Sequence, residues 1–318
     1  MFKKMSKIVS VLLALLILTP NIGHAVETEV IDEKWGKPIY VYGSGLSDAE
    51  VSETAKLLGI ENYDNVNVKR VTGEDEIKYL GSGSGDSSAM ISSVLVKKTS
   101  EKSGINVKIN TPDKITQITS DQYRNASITA GVHDCDIVIA SVKPVTGESA
   151  LTGIYKAFDA NGEVLDVKRM QVAQVELSTT NDIAQENKDK DNFSIDKLNQ
   201  VIINIKQEIN NYYNENGKNA DAQEIEQFIK DSIQKYDLES VITSEQVNRL
   251  TELFNQYKET GAVNSDEVKE QLGKLADEVG SKAKQIYEDA KESGVLDKIA
   301  EFFSRIFRAI MSAFSKNE

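Results

Sequence analysis

The stretch that decides the fold is residues 119–158, "TSDQYRNASITAGVHDCDIVIASVKPVTGESALTGIYKAF". It opens as a helix capped by Thr119 or Ser120 and stopped by Gly131. "HDCDIVIASV" then reads as a strand, along which successive side chains face opposite ways. His133, Cys135, Ile137 and Ile139 are expected on one face, and Asp134, Asp136, Val138 and Ala140 on the other. After Pro144, "TGESALTGIYKAF" is a glycine-rich entry into another helix. Helix, strand and helix in succession are α/β punctuation.

Residues 133–136 hold one of the chain's two histidines, its only cysteine and two aspartates. On an unbroken strand these four do not converge. A Cys–His nucleophilic pair needs the base aimed at the sulfur, which two positions on one strand do not give. Burial as a small apolar side chain is the expected fate of Cys135. The other histidine, His24, lies in the N-terminal leader, so a His-rich zinc site is excluded and a Ser–His–Asp site would have only His133 to use. EF-hand spacing is absent. No metal and no cofactor is expected, although fifty acidic residues leave a paired-carboxylate hydrolase open.

Upstream, "KPIYVYG" and "NVNVKRVTG" read as strands. "SDAEVSETAKLLGI" is a helix whose cap Ser47 has Glu50 three residues on, and "EDEIKYL" is a shorter one. The run "GSGSG" lacks the Gly-Lys-Ser/Thr ending of a phosphate loop and follows a helical segment, so it is read as a turn. "SSVLVKKT" and "GINVKIN" flank a polar tip and are expected to form a hairpin. "DANGEVLDV" offers an Asn-Gly turn into a further strand.

From about Val172 the β pattern stops. "DKLNQVIINIKQEINNYYNE", "ADAQEIEQFIKDSIQKYDL" and "TSEQVNRLTELFNQYKETG" are amphipathic helices. "SDEVKEQLGKLADEVGSKAKQIYEDAKESG" is a charged helix with a thin stripe of Val268, Leu272, Leu275, Val279 and Ile286, read as a solvated arm or spacer.

The first 25 residues have the form of a secretory signal: basic "MFKKMSK", apolar "IVSVLLALLIL", and small Gly23 and Ala25 before the cleavage point. Export is therefore expected. Cys135 is too far away to carry an N-terminal lipid, and no LPxTG-like sorting signal is present, so attachment to an envelope would be non-covalent. One cysteine makes no internal disulfide. The net charge of −13 argues against nucleic acid, which needs a basic footprint.

The last segment is the most amphipathic. In "VLDKIAEFFSRIFRAIMSAF", Phe302, Phe303, Ile306, Phe307, Ile310 and Phe314 share a face, while Arg305 and Arg308 lie opposite. Two readings stand: packing or self-association of this face, or contact with a membrane surface.

These segments carry a resemblance. "GSGLSDAEVSETAKLLGI", "KYLG", "SSAMISSVLV", "GINVKI", the opening stretch and the helices through about Tyr257 closely resemble the domain-of-unknown-function 1002 family, over roughly residues 38–260. The most specific part is "TAGV.D…VTG.SALTGI". The resemblance implies an exported, cell-envelope-associated protein of Gram-positive bacteria, with Asp134, Gly147, Leu151, Thr152 and Gly153 at its motif positions. His133 and Cys135 fall outside its pattern.

The expected organisation is a signal peptide (1–25), an α/β domain (26–185), a helical subdomain (186–262), a charged helical arm (263–294) and an amphipathic terminal helix (295–318). The expected role is non-enzymatic binding or organisation at the cell surface. The expected partner is an envelope component or the membrane surface, reached through the terminal helix. The alternative is an extracytoplasmic hydrolase with a site near Asp134 and the loop 146–152, which Thr146 and Thr152 bound.

Overall fold

The computed structural model describes residues 35–292. The signal peptide at 1–25 and the amphipathic helix at 295–318, with Phe302, Phe303, Arg305, Ile306, Phe307, Arg308, Ile310 and Phe314, lie outside the described residues.

Five strands form one mixed sheet: β1 (Ile39–Gly43), β2 (Asn67–Val71), β3 (Ser93–Lys98), β4 (Ile105–Ile109) and β5 (Cys135–Ala140), in the order β2-β1-β3-β5-β4. β1 runs parallel to β2 and β4 parallel to β5, while β3 is antiparallel to both neighbours. The two-residue period sorts the side chains. Ile39, Val41, Val94, Val96, Cys135, Ile137 and Ile139 enter the main core, and Tyr40 and Ala140 join a smaller core with Ala55, Leu58 and Ile60. The smaller core lies under helix α1 (Asp48–Leu57), whose cap residue Ser47 donates its backbone N–H to the Glu50 carboxylate at 2.9 Å. Each fully buried Ile or Val of the main core contributes about 1.5–3 kcal/mol through apolar burial.

Helix α2 (Gly73–Leu80) precedes β3. Helix α3 (Ser120–Ala130) links β4 to β5, begins at Thr119 and ends at Gly131 in the left-handed region, φ 92°. Helix α4 (Ser149–Ala160) returns under the sheet, where Gly153 lets it approach Val94 to 3.3 Å from an imagined Cβ. Five helices follow: α5 (Val167–Asn187), α6 (Ile195–Asn216), α7 (Ala222–Lys235), α8 (Ser244–Tyr257) and α9 (Asp266–Glu292). The apolar core is continuous from Trp35 to Val279.

Three expectations need correction. The segments 93–98 and 105–109 do not pair as a hairpin, because β5 lies between them. "CDIVIA" is apolar enough to sit with both edges paired, whereas β4 alternates buried Ile105 and Val107 with exposed Asn106 and Lys108 and suits a sheet edge. "DANGEVLDV" adds no strand: the chain turns at Asn161 and Gly162, and Asp166 caps α5 by accepting the Arg169 N–H at 2.8 Å. Nor is the start of α9 a solvated arm. Its stripe of Val268, Leu272, Leu275 and Val279 is at most 2% exposed, packed on α6 and α3, and Glu278 pairs with Arg124 of α3.

A polar cluster lies inside the helical part. Lys206 of α6 donates to Glu176 of α5 at 3.0 Å, to the Thr129 hydroxyl at 3.0 Å and to the Asn125 carbonyl at 3.1 Å. Thr129 also donates to Glu176 at 2.6 Å. Burial pushes the Lys206 ammonium below its ordinary pKa, and Glu176 works against that shift. Side chains from three helices thus meet in one buried hydrogen-bonded network.

Among the described residues no helix is long and apolar enough to cross a membrane.

Candidate functional site

The chain breaks its extended run just before β5. Asp134 has φ 48°, a left-handed conformation that aspartate adopts more readily than most residues. The break places Asp134 against the β3–β4 connection, which must cross the end of β5 because that strand lies between β3 and β4. Thr99 N–H donates to the Asp134 carbonyl at 2.8 Å, Gly104 N–H to the Asp134 carboxylate at 2.9 Å, and Cys135 N–H to the Gly104 carbonyl at 3.0 Å. Asp134 therefore closes the crossover with its side chain and backbone together.

His133 consequently lies outside the strand and does not share a face with Cys135 as an unbroken strand would require. Its Nδ1 is 3.5 Å from Glu267 Oε1 and 3.2 Å from the Gly131 carbonyl, and its Nε2 faces Glu163 Oε2 at 3.9 Å. Glu163 is in turn held by Trp35 Nε1 at 2.9 Å and Lys98 Nζ at 3.3 Å. Lys98 also donates to the His133 carbonyl at 3.0 Å.

Glu267 comes from the first turn of α9. Burial raises its carboxyl pKa and Asp134 adds to that, whereas His133, Lys98 and Arg169 act in the opposite sense. One ligand-type atom from each of His133, Asp134 and Glu267 lies within 4.8 Å of the other two.

These residues line an open cleft of about 410 Å³, with Glu101, Lys102, Asp266, Glu270, Gln271 and Lys274. Lys274 is engaged by the Lys102 carbonyl at 2.5 Å and Glu270 at 2.8 Å. Gln271 is 6% exposed and donates to the Val132 carbonyl at 3.2 Å and to Glu267 at 3.3 Å, while its Oε1 has no partner. The lining carries more carboxylates than cations. It suits a positively charged ligand.

Cys135 is wholly buried, and burial drives its thiol pKa well up, so it offers no thiolate. The motif candidates other than Asp134 lie elsewhere. Gly147, with φ 113°, accepts the Tyr123 hydroxyl on its carbonyl at 2.5 Å, and Leu151, Thr152 and Gly153 are buried on α4. They follow the far end of β5, roughly 20 Å of strand away at about 3.3 Å per residue. Asp134 and the loop 146–152 are not brought together.

Sequence reasoning missed Glu267 and Gln271. The apolar stripe of α9 shows that one helical face is buried, but nothing in the sequence says which surface receives it.

A family model described as "Protein of unknown function (DUF1002)" matches residues 42–275. The chain belongs to this family. The DUF1002 match contains His133, Asp134, Glu267 and Gln271, so the whole cleft triad and its buried amide lie inside it. The chain is also 29% identical over 304 residues to "Uncharacterized protein YpuA" of Bacillus subtilis (strain 168), covering 94% of this chain and 95% of that one. No solved structure matches.

Proposed function

We propose that this protein is exported and envelope-associated, and that it acts by binding rather than by turning over a substrate. The cleft at the root of α9 is its ligand site and takes a cation. The amphipathic stretch 295–314, which follows α9 in the chain, is its contact with a membrane surface, a partner or a second copy.

The observation that carries this reading is the approach of Glu267 to His133 and Asp134, which gathers an imidazole and two carboxylates from two distant chain segments at a cleft. The leader-like first 25 residues and the Phe-rich face opposite Arg305 and Arg308 support the location. The hydrolase alternative has less support, because Asp134 and the loop 146–152 occupy opposite ends of β5 and Cys135 is sealed in the core.

Two measurements test it. Thermal unfolding with calcium, magnesium, zinc or a polyamine should rise for at least one cation, by about 2.7 kcal/mol at a hundredfold excess over Kd, and Glu267→Gln should lose that rise. Indifference to all four would remove the cleft from the account. Liposome co-sedimentation of residues 26–318 and 26–293, with light scattering, should show only the longer form on anionic vesicles while both remain monomeric without lipid. Equal behaviour of the two forms would remove the terminal stretch as a membrane contact.

A further inference from the structure

We infer that the cation held in this cleft is a divalent transition metal of the zinc class, bound by His133 Nδ1, an Asp134 carboxylate oxygen and a Glu267 carboxylate oxygen, with a fourth position left to water or to a donor from a ligand. The inference rests on the cleft being a ligand site and adds the chemistry of that ligand.

The donor set comes first. One imidazole nitrogen with two carboxylates is a borderline set that suits zinc better than the all-oxygen shell of calcium or magnesium. Spacing comes second. Two ligands of a tetrahedral zinc with bonds of about 2.0–2.1 Å lie roughly 3.4 Å apart, and His133 Nδ1 to Glu267 Oε1 is 3.5 Å. The three atoms spread over no more than 4.8 Å, and the His133 and Glu267 side chains are 31% and 50% exposed, so both have room to close on an ion.

The surroundings of the imidazole come third. A histidine that binds metal through one nitrogen usually directs the other N–H at a carboxylate or carbonyl that fixes its tautomer. Nε2 of His133 faces Glu163, and Glu163 is positioned by Trp35 and Lys98. Nδ1 lies 3.2 Å from the Gly131 carbonyl, and the tautomer with its proton on Nε2, towards Glu163, leaves the Nδ1 lone pair for the metal with no proton to displace.

Gln271 supplies an independent indication. Its Oε1 is buried, unpartnered and part of the cleft-lining residue, one turn along α9 from Glu267. A buried amide oxygen without a donor is costly unless water or an ion reaches it. A water carried by an ion in this cleft is a donor of the kind that this oxygen lacks.

The test is calorimetric titration of the full chain, stripped with chelator, with zinc and separately with calcium. Zinc should bind one to one. His133→Gln and Glu267→Gln should each weaken it by at least a hundredfold, and Glu163→Gln by about tenfold through loss of orientation alone. Circular dichroism of each variant separates lost binding from lost folding. Calcium binding that needs Asp134 and Glu267 but ignores His133→Gln would overturn the zinc assignment and leave the cleft a cation site. Binding of neither ion would overturn the assignment, and the cleft reading would then depend on the polyamine result. Zinc binding unchanged in His133→Gln would place the metal elsewhere and overturn it as well.

Discussion

Glu267, on the first turn of α9, stands 3.5 Å from Nδ1 of His133, in the break before β5. That contact joins the last described helix to the sheet at the point where the β3–β4 connection crosses over. The same helix leads in sequence to the amphipathic stretch at 295–314. Whatever binds between His133, Asp134 and Glu267 therefore bears on how firmly the base of α9 is held to the α/β part.

Asp134 serves the fold as well as the cleft. Asp134→Val should cost about 1–3 kcal/mol, because a β-branched residue is strained at φ 48° and the Gly104 N–H loses its acceptor. Asp134→Asn keeps both the tolerated conformation and an acceptor, and should stay within about 1 kcal/mol of the parent. Urea midpoints of the two variants check the difference.

Lys206 and Glu176 should behave as a unit. Lys206→Met leaves a buried carboxylate without its cation and should cost about 3–5 kcal/mol. Adding Glu176→Leu should recover a large part of that loss, since the charge left behind is removed. A double-mutant cycle in denaturant reads the coupling directly.

The legible parts of this chain were those settled locally. Caps at Ser47 and Thr119, the stop at Gly131 and the alternation of Cys135, Ile137 and Ile139 follow from a few neighbouring residues, and the structure has them where expected. Strand order was not legible, because the choice between pairing β3 with β4 and inserting β5 is made by long-range burial. The site was half legible. Residues 133–136 draw attention by composition, but the left-handed break at Asp134 turns His133 out of the strand, and Glu267 arrives from a helix whose partner no local pattern names.

Gly147, which the resemblance puts at a motif position, has a steric reason to be glycine. Its φ is 113°, and a Cβ there would meet the Tyr123 hydroxyl at 2.5 Å and Ile115 at 2.8 Å. Gly147→Ala should destabilise the fold by about 1–3 kcal/mol without altering metal binding at the far end of β5. Thermal unfolding and zinc titration of that variant separate the two properties.

Asp159 supplies a pH dependence of known sign. A hydrogen bond from Lys78 at 2.6 Å holds its carboxyl below the usual value, with Tyr79 assisting at 2.8 Å. The folded pKa is depressed, so the contribution is present above the unfolded value near 3.9 and is lost as pH falls through the folded one. Asp159→Asn should therefore be less stable than the parent at pH 7, by no more than about 1 kcal/mol for a partly exposed pair. The gap should narrow below about pH 4.

The most direct measurement of the central claim uses the single imidazole that remains in the chain from Val26 onward, where His24 is absent and His133 stands alone. Long-range proton–nitrogen correlation spectra of this chain, recorded before and after one equivalent of zinc, report each ring nitrogen separately. Nδ1 is expected to move to the metal-bound range while Nε2 carries its proton towards Glu163, and Glu267→Gln is expected to abolish the change. An imidazole that stays unmoved by zinc, or that binds through Nε2, would contradict it.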